Sequence, residues 1–204
     1  MKITHPEKVL FPDDGITKGE LAEYYEAIAP VMLPHILRRP VTMERFPAGI
    51  DKPGFLQKDV SKGFPAWLER VEVPKKDGVV HHPIVTDVES LLWLANQNSI
   101  TPHVWTSRAP EVYYPDICVF DLDPSIDDAK MLNAAAYAVR SKPGAPVSAP
   151  CTWAEIESGK VAPRTFTLKN ALARVDRVGD LWADMRKRKR SLKRPVERLL
   201  KLGE

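Results

Sequence analysis

Nineteen of the 204 residues are proline, and they are spread along the whole chain. Proline fixes φ and has no backbone N–H, so it punctuates turns and interrupts hydrogen-bond ladders. Their dispersal means separate elements joined at marked turns, with no single linker between two halves. Thr17 and Glu20 form a capping box ahead of Leu21, Tyr24, Tyr25, Ile28 and Met32 at helical spacing. The spacing predicts a helix from there that ends near Pro34 or Arg38. Strands are expected at 41–46 and 55–58, and the Lys75-Lys76-Asp77-Gly78 turn predicts a hairpin of 71–73 with 79–84. A second box, Thr86 with Glu89, is expected to open a helix through Leu91, Leu92 and Leu94. Further strands are expected at 103–106, 116–122 and 135–140, then a long helix over 168–190 and a short one opened by Pro195. Hairpins mixed with separate helices give an α+β class.

Hydrophobic residues make up 44% and charged residues 28%, which excludes wholesale disorder. There is no apolar run of membrane-spanning length, and the start MKITHPEKVL lacks the apolar core of a secretory signal. Cys118 and Cys151 are too few for a disulfide framework or a cysteine zinc site. A cytoplasmic protein without a membrane partner is therefore expected. The net charge of +3 is uneven: residues 186–204 carry +7 and the rest of the chain −4. A basic tail on an acidic body suits a polyanion, and it equally suits a solvated helix face.

The strongest chemical signal is Asp121-Leu122-Asp123, directly after the apolar run Ile117-Cys118-Val119-Phe120. On a strand, alternation sets both carboxylates on one face and Leu122 on the other. Two adjacent oxygen ligands suit Mg2+ or Mn2+, which also bridge to nucleotide phosphates. Asp123-Pro124 equally fits the ordinary start of a turn. Lys8 and Lys18 flank the Phe11-Pro12-Asp13-Asp14-Gly15 turn, and Lys18 sits where free helix N–H groups favour an anion. If the turn folds Lys8 back, the two ammonium groups and the helix start hold one phosphate; otherwise they are two solvated lysines. His103 and Trp105 would share a strand face, and Phe55 and Trp67 are candidates for stacking on bases. His81-His82 lacks a third ligand at metal spacing, so zinc is not expected.

The stretches ITHPEKVLFP, GITKGELAEYYEAIAPVMLPHILRRPVTMERFPAGI, GFLQKD, HVW, VFDLDP and AAYAVRSKPGAPVSAPCTWAEI occur in a telling order. Together they resemble the polymerase domain of bacterial DNA ligase D, a member of the archaeo-eukaryotic primase superfamily that works in non-homologous end joining. The resemblance implies mixed sheets flanked by helices, in a shortened domain at 1–185 with a DNA-end-binding and D-x-D part at 1–124. It places a C-terminal part at 134–185 and leaves a basic helical tail at 186–204. It implies that Lys8 and Lys18 hold the 5′-phosphate of a recessed DNA end and that Phe55 stacks at the template strand. Leu56 stands where the family often has a second aromatic. Arg45 and Lys58 match basic positions near DNA or nucleotide, and Asp121 and Asp123 match two of three metal-binding aspartates. His103 matches an active-site histidine, and Arg140 and Lys142 match cations near the nucleotide's triphosphate. Lys142 replaces an arginine, keeping charge without the bidentate fork. The implied cofactor is Mn2+ or Mg2+, and the implied substrates are a nucleoside triphosphate and a DNA end. Ku and a ligase of the end-joining system are the implied partners, at the nucleoid.

The departure from the family is as informative. Only residues 125–133 stand between D-L-D-P and the segment that carries Arg140, where the family has a long stretch. That stretch supplies a Ser-Gly-x-Gly-x-His phosphate cradle and the third metal aspartate, and no such motif occurs in this chain. Ser158-Gly159-Lys160 is no substitute, and nothing marks Asp127 or Asp128 as the third ligand. Phosphoryl transfer depends on metals and cations placed against transition-state charge, so catalysis is expected to be impaired. The DNA-end residues precede the gap. Three readings stay open: a metal-dependent nucleotidyltransferase, a binding module for 5′-phosphorylated ends, and a truncated product without a role.

Overall fold

The computed structural model describes residues 1–60, 63–119, 134–188 and 190–201. Asp121, Asp123, Asp127 and Asp128 lie outside the described residues, so the D-x-D expectation does too. A short antiparallel pair, β1 (Val9–Phe11) and β2 (Ile16–Thr17), leads directly into helix α1 (Lys18–Ile36). The expected capping box is present, with the Thr17 hydroxyl accepting from the Glu20 N–H and the Glu20 carboxylate accepting from the Thr17 N–H. The helix runs through Pro30 and Pro34 and ends inside the expected window.

The central sheet has the order β4-β3-β7, all antiparallel, from β3 (Val41–Arg45), β4 (Phe55–Gln57) and β7 (Ser99–Val104). A separate hairpin joins β5 (Arg70–Lys75) to β6 (Gly78–Pro83), as the turn residues predict. Between them lies α2 (Val88–Asn96). Its capping box is Asp87 with Ser90, one residue later than the expected Thr86 and Glu89. Aspartate caps as well as threonine, and two overlapping boxes cannot be ranked by spacing.

The core lies between α1, α2 and the sheet, with Leu21, Tyr25, Ile28, Met32, Met43, Leu91 and Ile100 all buried. Two tyrosines on α1 bind the segment after residue 133 into this core. The Tyr24 hydroxyl donates to the Tyr137 carbonyl at 2.8 Å; the Tyr25 hydroxyl donates to the Ile100 carbonyl at 2.6 Å and accepts from the Val139 N–H at 3.2 Å. Each satisfies a polar group that burial would otherwise strand.

Four expected elements are corrected. Residues 135–140 are a buried irregular segment, tied by isolated bridges such as Val139 to Val147. Tyr137 has a left-handed φ of 63°, which breaks extension and turns its hydroxyl onto Asp180 at 2.7 Å. The expected strand at 116–122 is absent over its described part, 116–119; Asp116 instead pairs with Arg39 and Arg108. The strand expected at 103–106 starts earlier, at Ser99, and stops at Val104. The long helix over 168–190 is also divided. After α3 (Trp153–Glu157), helix α4 covers Ala171–Val178 and stops at Gly179, whose φ is 71°. Asp180 then accepts from Tyr137 and the Trp182 N–H and contacts His35, which fixes the exit from the helix. The basic tail is a short 3-10 turn at Met185–Arg188 and helix α5 (Lys193–Lys201), with Pro195 in its first turn.

Candidate functional site

The β1–β2 pairing folds Lys8 directly against the helix start. The Lys18 N–H donates to the Lys8 carbonyl at 2.8 Å, and the Gly19 N–H donates to the Pro6 carbonyl at 2.9 Å. A Cβ on Gly19 would meet that Pro6 carbonyl at 3.1 Å, so the crossing is tight at this position. Lys18 is only 3% exposed, which discards the reading of two solvated lysines. Its ammonium donates to the Thr4 hydroxyl at 3.2 Å and the Asn96 carbonyl at 3.4 Å. Burial lowers the Lys18 pKa from the ordinary lysine value, and the nearby Lys8 ammonium lowers it further. The two cations face a cleft of about 620 Å³ lined by Thr4, Lys8, Lys18, Asn96, Gln97 and Asn98, together with His5 and Glu7.

The Asn96-Gln97-Asn98 run was missed by the sequence reading. Its signal was there: an amide-rich run ending a helix, with Asn98 in the left-handed region at φ 57°. The Asn98 Oδ1 is buried with no partner among the described residues. Gln97 also ties the cleft to the sheet. Its carbonyl accepts from Arg45 Nε at 2.8 Å, and Gln57 Oε1 accepts from Arg45 Nη1 at 2.6 Å. Arg45 in turn lies 5.4 Å from the ring centroid of Phe55, its partner on β4. Phe55 and Leu56 are each about half exposed, and Lys58 is exposed.

Strand register sorts the remaining candidates. Glu44 pairs with Leu56 and Thr101, and Thr42 pairs with His103, so alternation puts these on the face opposite Arg45 and Phe55. His103 is buried, with Nε2 at 3.4 Å from Glu44 Oε2. The Ser141 hydroxyl donates to the same Glu44 oxygen at 2.7 Å. Burial pushes the Glu44 carboxyl upward, but the His103, Ser141 and Thr101 donors outweigh it and leave the group below its ordinary value. Ser141 is flanked in the chain by half-buried Arg140 and exposed Lys142. The expected pairing of His103 with Trp105 does not form the wall: the Trp105 ring packs edge-on against His82 at 5.0 Å. Trp67 is about half exposed. Among the described residues no group of three or more His, Cys, Asp or Glu side chains is placed to hold a metal.

A model of the primase-polymerase domain of LigD matches residues 17–136 and 126–182. The chain belongs to the LigD primase-polymerase family. The two matches overlap over 126–136. The chain is 41% identical over 126 residues to the multifunctional non-homologous end joining protein LigD of Mycolicibacterium smegmatis, covering 61% of this chain and 16% of that protein. It is 31% identical over 137 residues to the bifunctional LigD protein of Bacillus subtilis, covering 67% of this chain and 22% of that protein. It therefore spans a small part of the length of these LigD relatives. The fold matches a polymerase domain from Mycobacterium tuberculosis ligase D in complex with DNA, with a TM-score of 0.77 and 21% identity over 93% of this chain and 99% of that one.

Proposed function

We propose that this LigD-family chain grips 5′-phosphorylated DNA ends through Lys8 and Lys18, with polymerase activity impaired. The observation that carries this is a lysine pair held at a helix start and facing a polar cleft. A buried ammonium whose pKa is depressed gains most from a dianion, because the phosphate offsets both its desolvation and the repulsion from Lys8. The Arg45–Phe55 pair, continuous with the cleft through Gln97, offers a cation and a half-exposed ring to the neighbouring strand. Lys58 extends this basic edge.

On the opposite face, His103, Arg140 and Lys142 would take the nucleotide and its triphosphate. The Mg2+ or Mn2+ expected on Asp121 and Asp123 would polarise phosphate oxygens and activate the 3′-hydroxyl. Among the described residues no group of three or more His, Cys, Asp or Glu side chains is placed to hold a metal, and the sequence lacks the cradle motif. Binding of the DNA end is thus the function that this chain's own residues support furthest. An extending enzyme is the second reading, favoured by a buried His103 that shares Glu44 with Ser141. Ku, a separate ligase and a nucleoid location belong to the same proposal, as does a division at residue 185. Among the described residues no helix is long and apolar enough to cross a membrane.

The test is a titration of a gapped duplex with and without its 5′-phosphate, repeated after removal of residues 186–204. The phosphorylated duplex is expected to bind more tightly, and the shortened chain to bind all DNA more weakly with a flatter salt dependence. Equal affinity for the two duplexes would remove the phosphate pocket from the account. An unchanged salt slope would make the tail a bystander.

A further inference from the structure

Ser191 is the one residue with a hydroxyl side chain in the basic tail, and seven of the ten residues within five positions of it are Lys or Arg. It is exposed and lies in the joint between the 3-10 turn at Met185–Arg188 and helix α5. Its Oγ accepts from the Lys193 N–H at 3.2 Å, one of the groups that a helix start leaves without an internal partner. Cations at this density repel one another, and an anion set among them relieves that repulsion. The start of a helix favours negative charge as well. Other serines differ. Ser90, Ser107 and Ser141 are buried or half-buried, and their hydroxyls donate to the Asp87 carbonyl, the Val112 carbonyl and the Glu44 carboxylate. Ser158 is exposed, but it sits beside Glu155 and Glu157, and its hydroxyl donates to the Glu155 carbonyl at 2.7 Å.

We propose that Ser191 is a phosphorylation site for a serine kinase with an acid-lined substrate cleft, and that the phosphate loosens the tail's hold on DNA. This rests on the reading that residues 186–204 contact DNA. Charge pattern is how a kinase tells one hydroxyl from another, and the cations around Ser191 fit an acidic cleft. The joint is not helical, so the hydroxyl can enter such a cleft without melting α5. In the transfer, Ser191 Oγ attacks the γ-phosphorus of a nucleoside triphosphate. An O–P bond forms, the bond from that phosphorus to the β,γ-bridging oxygen breaks, and a nucleoside diphosphate leaves with the electron pair. The hydroxyl proton passes to a base of the kinase. The tail then falls from +7 to about +5, so fewer counterions are released from DNA when it binds.

The full chain is incubated with an arginine-directed serine kinase, ATP and Mg2+, and peptide mass spectrometry locates the added phosphoryl group. It is expected on Ser191 and is expected to be lost in Ser191→Ala. The chain isolated from its own cells, with phosphatases inhibited, is expected to carry the same group. Binding is then titrated on gapped duplexes with and without the 5′-phosphate. The phosphorylated chain is expected to bind both about tenfold more weakly near physiological salt, with a salt slope flatter by about two. The ratio between the duplexes should not move, because Lys8 and Lys18 keep their charges. Ser191→Ala, treated with the kinase, should bind as the unmodified chain does. Phosphate placed elsewhere, or absent from Ser191 in the chain isolated from cells, overturns the site. If the phosphorylated chain binds DNA as before while removal of 186–204 still weakens binding, the phosphate's effect on DNA is overturned and the tail reading stands. If that removal also changes nothing, the tail reading fails and takes the effect with it. A loss confined to the 5′-phosphorylated duplex contradicts the proposal too, since it would put the effect at the lysine pair.

Discussion

Replacing Lys18 with methionine is expected to weaken binding to a 5′-phosphorylated gap by about tenfold to a hundredfold, the scale of one lost charge-assisted hydrogen bond. Binding to the unphosphorylated duplex should change little. Methionine keeps the buried stem of a side chain that is only 3% exposed, and removes the ammonium that faces the cleft. Lys8→Ala should act in the same direction, less strongly, because Lys8 is only half-buried. The two effects should fall short of adding, since both cations serve one phosphate. The pH dependence follows from the depressed Lys18 pKa. Bound phosphate favours the charged ammonium, so affinity falls as pH rises through the lowered value, below the range where an ordinary lysine titrates. Fluorescence titration of a labelled gapped duplex checks both points. Equal losses on the two duplexes would leave the lysines a general electrostatic role only.

Arg39→Ala is expected to cost about 1–3 kcal/mol of folding stability, the range for stranding buried hydrogen-bond acceptors, because Asp116 is 36% exposed and keeps Arg108. Arg39 is 2% exposed and donates to the His35 carbonyl at 2.8 Å and the Trp105 carbonyl at 3.2 Å. It also meets the Asp116 carboxylate at 2.7 Å, which Arg108 holds from the other side at 2.9 Å. Burial alone would raise the Asp116 pKa; the Arg108 and Arg39 bonds outweigh it and lower the value below 3.8. A depressed carboxyl pKa contributes stability that is fully present above the unfolded value and is lost as pH falls through the folded one. Denaturant unfolding across the acid range should therefore show a shallower loss for Asp116→Asn than for the unaltered chain. Parallel curves would mean that the clamp carries no linkage. The clamp also matters for the site, because it anchors the chain just upstream of Asp121 to the end of α1.

How much of this was legible in the sequence depended on whether the signal was local. Helix α1, its Thr17 box and the β5–β6 hairpin rest on spacing and turn chemistry within a few residues, and all three are present. The return of Lys8 to Lys18 was only one of two readings that the turn allowed, and the β1–β2 pairing decides it. Residues 135–140 look like a strand because they are apolar and run together. Their conformation is set instead by partners far along the chain, Tyr25 to Val139 and Asp180 to Tyr137. The division at Gly179 was signalled locally, but the amphipathic pattern on both sides outweighed one glycine. Asp116 resembled the start of a strand because its two arginine partners come from α1's end and from Arg108, which no window on residues 116–122 contains. In the candidate site, the cations and His103 were named from the sequence. The amides of Asn96, Gln97 and Asn98 and the Glu44–Ser141 support were not, because they enter through tertiary contacts.

The central claim is that grip on the DNA end persists where the missing stretch impairs chemistry. Primer extension and binding should be measured together on one gapped, 5′-phosphorylated duplex with Mn2+ and ribonucleotides, for the unaltered chain and for Asp121→Ala. The account predicts phosphate-dependent binding by both chains, with little or no extension by either. Robust extension that disappears in Asp121→Ala would contradict it, by showing that the short chain builds a working catalytic site without the cradle.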